Sequence, residues 1–230
     1  MIDIAFVKSL AIASIVEEKT TSNSNVFVDF AEQLLINGIK SDNVEILVSL
    51  MDSSYFDKKL YFEKILNDLK IEIENTDEIY VIYAKDIAMH VLRNELDPKL
   101  AIRKMDKLYL KIDSKPFFYD AISISDGIDL LDEGYELVQG MTKNNVAQYV
   151  RHFFELFLIF EDLNIPNDLL KQAYCKKCKA RNIPIIRKYR SSLFTSKNIS
   201  KNTCPNCKSD DLVYIRYNEG KDLYLHELGL

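Results

Sequence analysis

Apolar positions recur every three or four residues along most of the chain, a spacing that predicts helices. The first covers residues 2–18 and is largely apolar until the polar run Lys19-Thr20-Thr21-Ser22-Asn23-Ser24-Asn25. Phe27, Phe30, Leu34 and Leu35 share one face of a second helix over 26–37, and Asn37-Gly38 stops it. Asp42 followed by Glu45 has capping-box spacing and opens a short helix through Met51. Further helices are predicted over 56–69 and 77–93, the latter with Tyr80, Tyr83, Ala84, Ile87 and Val91 on one stripe. Asp97-Pro98 pairs a capping acceptor with proline at the first helical position, and Ala101, Ile102, Met105, Leu108 and Ile112 continue that helix. Another is predicted from about Pro116 to Asp132, ahead of the pause at Glu133-Gly134 and a short segment ending at Gly140. The clearest covers 143–163, where Val146, Tyr149, Val150, Phe153, Phe157 and Phe160 line one side. Its second half is apolar nearly all round, which places it inside a bundle. Pro166 opens a last short helix before the first cysteine.

Composition agrees. Six Gly and five Pro in 230 residues are too few for the turns of a sandwich or barrel, so the bulk is helical. Trp is absent, but 13 Tyr and 12 Phe supply large core side chains. No run of 18 apolar residues exists to cross a membrane. The first residues carry Asp3 and Lys8 and lack a basic leader, which argues against a signal peptide. A reducing cytoplasm is therefore the expected setting, where four cysteines read as metal ligands before disulfides.

Charge divides the chain. Residues 1–170 hold 17 Lys/Arg against 30 Asp/Glu, a formal −13, whereas 171–230 hold 13 against 5, a formal +8. Residues 171–208 carry eleven basic side chains and no acid, and all four cysteines lie in the basic part. With the turn signal Asn164-Ile165-Pro166-Asn167, this predicts an acidic, all-helical domain over 1–168 and a basic domain over 169–230.

The basic part carries the strongest motif. Cys175-Lys176-Lys177-Cys178 and Cys204-Pro205-Asn206-Cys207 are two C-x2-C pairs with 25 residues between them. Each such turn aims two sulfurs at one ion, and two turns complete a tetrahedron. This part resembles the zinc-ribbon family, and the resemblance spans about residues 171–230. It implies a few antiparallel strands gripping one structural Zn²⁺ between two knuckles, with Cys175, Cys178, Cys204 and Cys207 as ligands. It also implies Gly after the second Cys of each knuckle, where the backbone turns to positive φ. Lys179 and Lys208 stand there instead, at a cost of about 1 kcal/mol each if they adopt it. Pro205 matches the family's Cys-Pro-x-Cys form, which also occurs in rubredoxin-like iron sites, so Fe is the minor alternative. Leu212-Val213-Tyr214-Ile215-Arg216-Tyr217 reads as a strand, Asn218-Glu219-Gly220-Lys221 as a turn and Asp222-Leu223-Tyr224-Leu225-His226 as the return strand. The expected fold is mainly α: a multi-helix N-terminal bundle or irregular helical array, plus a small C-terminal β zinc ribbon.

Four cysteines close a metal's coordination shell, which leaves no position for substrate and makes the site structural. Phosphate loops, a Gly-x-Ser-x-Gly elbow and His-Glu-x-x-His are missing from the sequence. Asp126, Asp129, Asp132, Glu133 and Glu136 read as a solvated acidic face, and Asp86/His90 and His152/Glu155 as helical pairs. His226 stands on the expected last strand beside a metal already satisfied by sulfur. No catalytic residue is assigned. The first expectation is a non-enzymatic adaptor or regulator that meets a protein partner, or its own acidic domain, through the helical body or the ribbon. The alternative is DNA or RNA bound by the basic loop between the cysteine pairs. That loop and its flanks offer Lys176, Lys177, Lys179, Arg181, Arg187, Lys188, Arg190, Lys197 and Lys201 for phosphates, with Tyr189 and Phe194 interleaved for stacking. A third reading is an enzyme with an unrecognised carboxylate site among the helices.

Overall fold

The computed structural model describes residues 3–74, 76–112, 116–163, 165, 167–192 and 195–230. The chain is mainly α, with small antiparallel strands near its C-terminus. It divides into two compact units: the first runs through Met89 and takes in Leu110–Ile112, the second holds His90–Tyr109 and continues to Leu230. The charge seam near residue 168 thus lies inside the second unit, so the cysteine segment and three helices share one body.

The first unit contains α1 (Ile4–Thr21), α2 (Val26–Ile36), α3 (Asp42–Ser49), α4 (Tyr55–Asp68) and most of α5 (Glu78–Leu92). Its core gathers Val7, Ala11, Phe27, Phe30, Leu34, Leu47, Phe62 and Ile65. Phe62 stacks obliquely on Phe27 at 4.6 Å and meets Phe30 edge-on at 5.0 Å. The cap of α3 differs from the sequence expectation: Ser41, not Asp42, accepts the Val44 N–H, and the helix ends at Ser49 rather than Met51. A hydroxyl fits the N-cap as well as a carboxylate, and Asp42 then adds its charge to the first turn.

The second unit starts from α6 (Pro98–Leu108), α7 (Pro116–Asp132) and α8 (Val146–Leu163). Asp97 caps α6 as expected, accepting from Leu100 N at 3.0 Å. In α8 Phe153, Phe154, Phe157 and Phe160 are all buried, and Phe117 of α7 lies 5.5–6.2 Å from the rings of Phe153, Phe157 and Phe160. Arg151 of α8 donates to the carbonyls of Val91 and Leu92 and to Asn94, which satisfies the C-terminal end of α5. Asp129 of the acidic run pairs with Arg103, while Asp126, Asp132, Glu133 and Glu136 are exposed.

After a 3-10 turn over Asn167–Lys171 come β1 (Ala173–Cys175), β2 (Arg181–Asn182), β3 (Ile185–Ser192), β4 (Thr195–Thr203), β5 (Leu212–Tyr214) and α9 (Asn218–Leu228). One antiparallel sheet has the order β2-β1-β5, and β3 pairs with β4 as a separate two-stranded ribbon. Two expectations are corrected here. The basic segment between the cysteine pairs is this ribbon, not a loop. The expected turn at 218–221 and return strand at 222–226 are one helix. Alternation over 222–226 suggested a strand, but Asn218, Gly220, Lys221 and Leu225 are the buried positions, a helical spacing, and Leu223 is exposed. Gly229 closes α9 in the left-handed region, at φ 76°.

Glycine is required at Gly220. A Cβ there would stand 2.1 Å from the Tyr214 carbonyl oxygen, so only a bare backbone lets the first turn of α9 press on the end of β5. Gln139 blunts the same strand. Its amide donates to Leu212 O at 3.0 Å and accepts from Tyr214 N at 3.4 Å, taking the place of a neighbouring strand.

A buried charge cluster fixes α9 on the helices. Lys221 is fully buried, and its Nζ donates to Asp120 Oδ2 at 3.2 Å and to the Arg216 carbonyl. The ammonium also lies 4.6 Å from the Phe117 ring centroid. Arg216 reaches Asp120 Oδ1 and Ser123 Oγ, each at 3.3 Å. Burial raises the Asp120 carboxyl and lowers the Lys221 ammonium from their ordinary values, and the opposite charges resist both shifts. Asp120→Asn leaves Lys221 buried without its counter-charge and is expected to cost about 3–5 kcal/mol in urea unfolding. Asp120→Leu with Lys221→Met is expected to recover most of that loss. Equal losses in both variants would show that the pair does not hold the helix.

His152 joins α8 to α9, with Nδ1 3.0 Å from Glu155 and Nε2 2.9 Å from Asp222 of α9. Desolvation pulls its pKa down, but hydrogen bonds to Glu155 and Asp222 outweigh that and raise it. The stabilisation is therefore full below the unfolded-state value of about 6.5 and is lost as pH rises through the folded-state value. His152→Gln is expected to show a larger stability deficit at about pH 6 than at about pH 9, measured by urea midpoints.

Candidate metal centre

Each cysteine pair folds into the same turn. In the first, Cys175 N donates to Ala180 O at 3.0 Å and Lys179 N to Cys175 O at 2.8 Å. In the second, Cys204 N donates to Ser209 O at 2.8 Å and Lys208 N to Cys204 O at 3.0 Å. Both turns need a left-handed residue one place past the second cysteine. Lys179 and Lys208 supply it at φ 59° and 68°, the conformation for which glycine is the usual choice.

The sheet brings the two turns together. β1 ends at Cys175, and its partner β5 follows the second pair closely, with Cys175 opposite Leu212. All four sulfurs lie within 4.8 Å of one another. Cys175 and Cys207 are 3.4 Å apart, and Cys178 and Cys204 are 3.6 Å apart. A disulfide needs about 2.05 Å, so these are free thiols. A tetrahedron with metal–sulfur bonds of about 2.3 Å has edges of about 3.8 Å, a value that lies between the two short separations and the 4.8 Å limit. Cys175 and Cys204 are buried, Cys207 is half-buried and Cys178 is exposed. These four residues can share one metal ion.

Local dipoles suit thiolates. The Cys178 N–H, with help from the Cys207 sulfur and the Lys177 N–H, draws Cys175 down to about 7. Cys204 is lowered by the N–H groups of Cys207 and Asn206. Cys178 moves the other way, to about 12, because desolvation and the neighbouring sulfurs outweigh the Ala180 N–H. Some of the four ionise readily and the rest are then held protonated, a conflict that a cation removes.

The other sequence candidates separate into two groups. Lys176 pairs with Glu219 at 3.4 Å, Arg181 with Glu227 at 3.0 Å and Lys201 with Asp210 at 2.6 Å. Arg181 also lies 5.3 Å from the Tyr224 ring centroid. Lys177 and Lys179 are exposed on the first turn. Arg187, Lys188, Tyr189 and Arg190 stand on β3, and Lys197 and Lys201 on β4; Phe194 lies outside the described residues. Arg187 and Lys188 form no ion pair among the described residues. His226 is exposed on α9 and is not one of the residues gathered at the sulfurs.

Sequence reasoning missed Glu219, Asp222 and Glu227, and the cluster of Asp120, Arg216 and Lys221. A helix signature was present around them: an acid, Glu219, in the opening turn and Gly229 at the stop. No sequence signal links Asp120 to Lys221, which stand 101 residues apart.

The chain was compared with protein-family models, curated proteins and solved structures, and none matches it.

Bound metal should protect the thiols. With metal retained, the four cysteines are expected to react slowly with a thiol reagent at neutral pH, and all four rapidly once a strong chelator is added. Immediate reaction of all four thiols in untreated, reduced protein would contradict a shared ion.

Proposed function

We propose that this protein acts by binding rather than by catalysis: a zinc ribbon, with one structural Zn²⁺ on Cys175, Cys178, Cys204 and Cys207, presents a basic hairpin to nucleic acid. The zinc reading is supported by the two matched turns, the three-stranded sheet and the all-sulfur shell, whose four protein ligands leave no open position. Iron is the alternative ion; it would colour the protein, and Zn²⁺ would not.

The observation that carries the reading is where the paired cations are. Lys176, Arg181, Lys201, Arg216 and Lys221 find carboxylates at Glu219, Glu227, Asp210 and Asp120. The hairpin strands themselves contain no acid, and Lys188, Ser200, Lys201 and Asn202 are exposed. Arg187 and Lys188, which form no ion pair among the described residues, suit a polyanion.

A second reading, an adaptor for a protein partner, is favoured by a cleft in the first unit. It measures about 560 Å³, and Ile15, Phe27, Tyr55, Phe62 and Ile71 line it together with Glu18, Glu63 and Glu72. An apolar cleft with charges of both signs, Lys19 and Lys59 beside the glutamates, suits an amphipathic segment.

Neutralising Arg187, Lys188 and Arg190 together to Gln is expected to weaken nucleic-acid binding. The variant should also flatten the slope of log K against log salt by up to about 3. Absence of binding by the wild type at about 50 mM salt would remove the nucleic-acid reading.

A further inference from the structure

The first unit carries a surface that the hairpin reading leaves unused. The α4 residues of its cleft run from Tyr55 through Lys59 and Phe62 to Asn67, about 18 Å at 1.5 Å per residue. That is the length of about twelve helical residues, a little over three turns. Phe27 and Phe62 are buried with their rings 4.6 Å apart, and Tyr55 lies 6.4 Å from Phe27, so aromatic rings line its apolar part. The apolar surface continues past the lining. Phe56 and Leu60 each follow a lining residue, Tyr55 or Lys59, and stand one helical turn apart at 79% and 48% exposed. Large exposed apolar side chains beside an apolar cleft mark an interaction surface.

Charge decides which kind of helix fits. Residues 1–89 hold 8 Lys/Arg against 16 Asp/Glu, a formal −8, a field that steers cationic partners to this unit. The cleft has both signs, but they are engaged differently. Lys19 and Lys59 lie over the protein's own rings, 6.0 Å from the Tyr80 centroid and 5.7 Å from that of Tyr55. Glu18, Glu63 and Glu72 form no ion pair among the described residues. The chain's own α6 is basic and amphipathic, with Lys99, Arg103, Lys104 and Lys107, but Ala101, Ile102, Met105 and Leu108 of its apolar face are already buried. The cleft is thus left to a helix from another protein.

Resting on the adaptor reading above, we infer that the cleft docks a basic amphipathic helix of a partner protein, its apolar stripe on the rings and its cations toward Glu63 and Glu72. Fluorescence anisotropy of the full-length, metal-loaded chain tests it at about 50 mM salt, where surface charges are weakly screened. Three labelled peptides of about 18 residues serve as probes. One has leucines at helical spacing and lysines elsewhere, one has glutamates in place of the lysines, and one has the first peptide's residues reordered to abolish the stripe. The first is expected to bind at least about tenfold more tightly than either of the others. Glu63→Gln with Glu72→Gln, and separately Phe56→Ser with Leu60→Ser, all exposed side chains, are each expected to weaken it by about threefold or more. Glu32→Gln with Glu45→Gln removes the same charge from exposed positions outside the cleft and is expected to change it by less than about twofold. Equal or tighter binding of the glutamate peptide overturns the basic-helix inference and leaves the adaptor reading standing. Equal losses in the two glutamate pairs, or equal binding of the reordered peptide, would show attraction to net charge alone and overturn it as well. A chain that sediments as a dimer, dissociated by the first peptide, assigns the cleft to a second copy and overturns it too. Failure to bind any of the three peptides overturns both the inference and the adaptor reading.

Discussion

Four sulfur atoms within 4.8 Å of one another are the constraint on which the C-terminal part depends. Two thiolates 4 Å apart repel by about 4 kcal/mol at an effective dielectric constant of 20, and four of them form six such pairs. As thiols they give up that charge but gain little, since sulfur is a weak hydrogen-bonding atom. A single divalent cation at the centre turns the repulsion into attraction. The three-stranded sheet has strands of two or three residues, too short to hold two distant turns together unaided. In the proposed reading the ion supplies what the sheet lacks.

That module is built into a helical body. Gly220 lets α9 lie against β5, Gln139 closes the free edge of the same strand, and Asp120 receives Arg216 and Lys221 from the chain just beyond it. Breaking one partner of a buried ion group strands the other, so these contacts act more as a specification of how α9 docks than as a large net stabilisation. The arrangement also accounts for the fate of the basic charge. Cations near the module find carboxylates from α7, α9 and the second cysteine turn. Arg187 and Lys188 of the hairpin form no ion pair among the described residues.

The helices and the cysteine cluster were both legible in the sequence, for different reasons. Apolar spacing located α1, α2, α4, α5 and α8 within a few residues, because each must bury a continuous stripe. Asp97-Pro98 marked the start of α6 because a capping acceptor and a proline without an N–H belong there whatever the tertiary context. The cysteine spacing held for a comparable reason: a C-x2-C turn is local, and two of them leave little choice of ligand. What failed were elements decided by long-range contacts. The five alternating residues 222–226 fit a strand and a helix about equally, and the packing of Lys221 and Leu225 decided for the helix. The segment between the cysteine pairs lacked an apolar face, so nothing local distinguished an exposed hairpin from a loop. Composition placed a seam near residue 168 because charge changes there, but packing unites the two sides.

X-ray absorption spectroscopy of the reduced, full-length protein tests the central claim most directly. One metal ion per chain is expected, with four sulfur scatterers at about 2.3 Å and no nitrogen or oxygen in the shell. A folded protein without bound metal, or a shell of mixed sulfur and oxygen, would contradict the account.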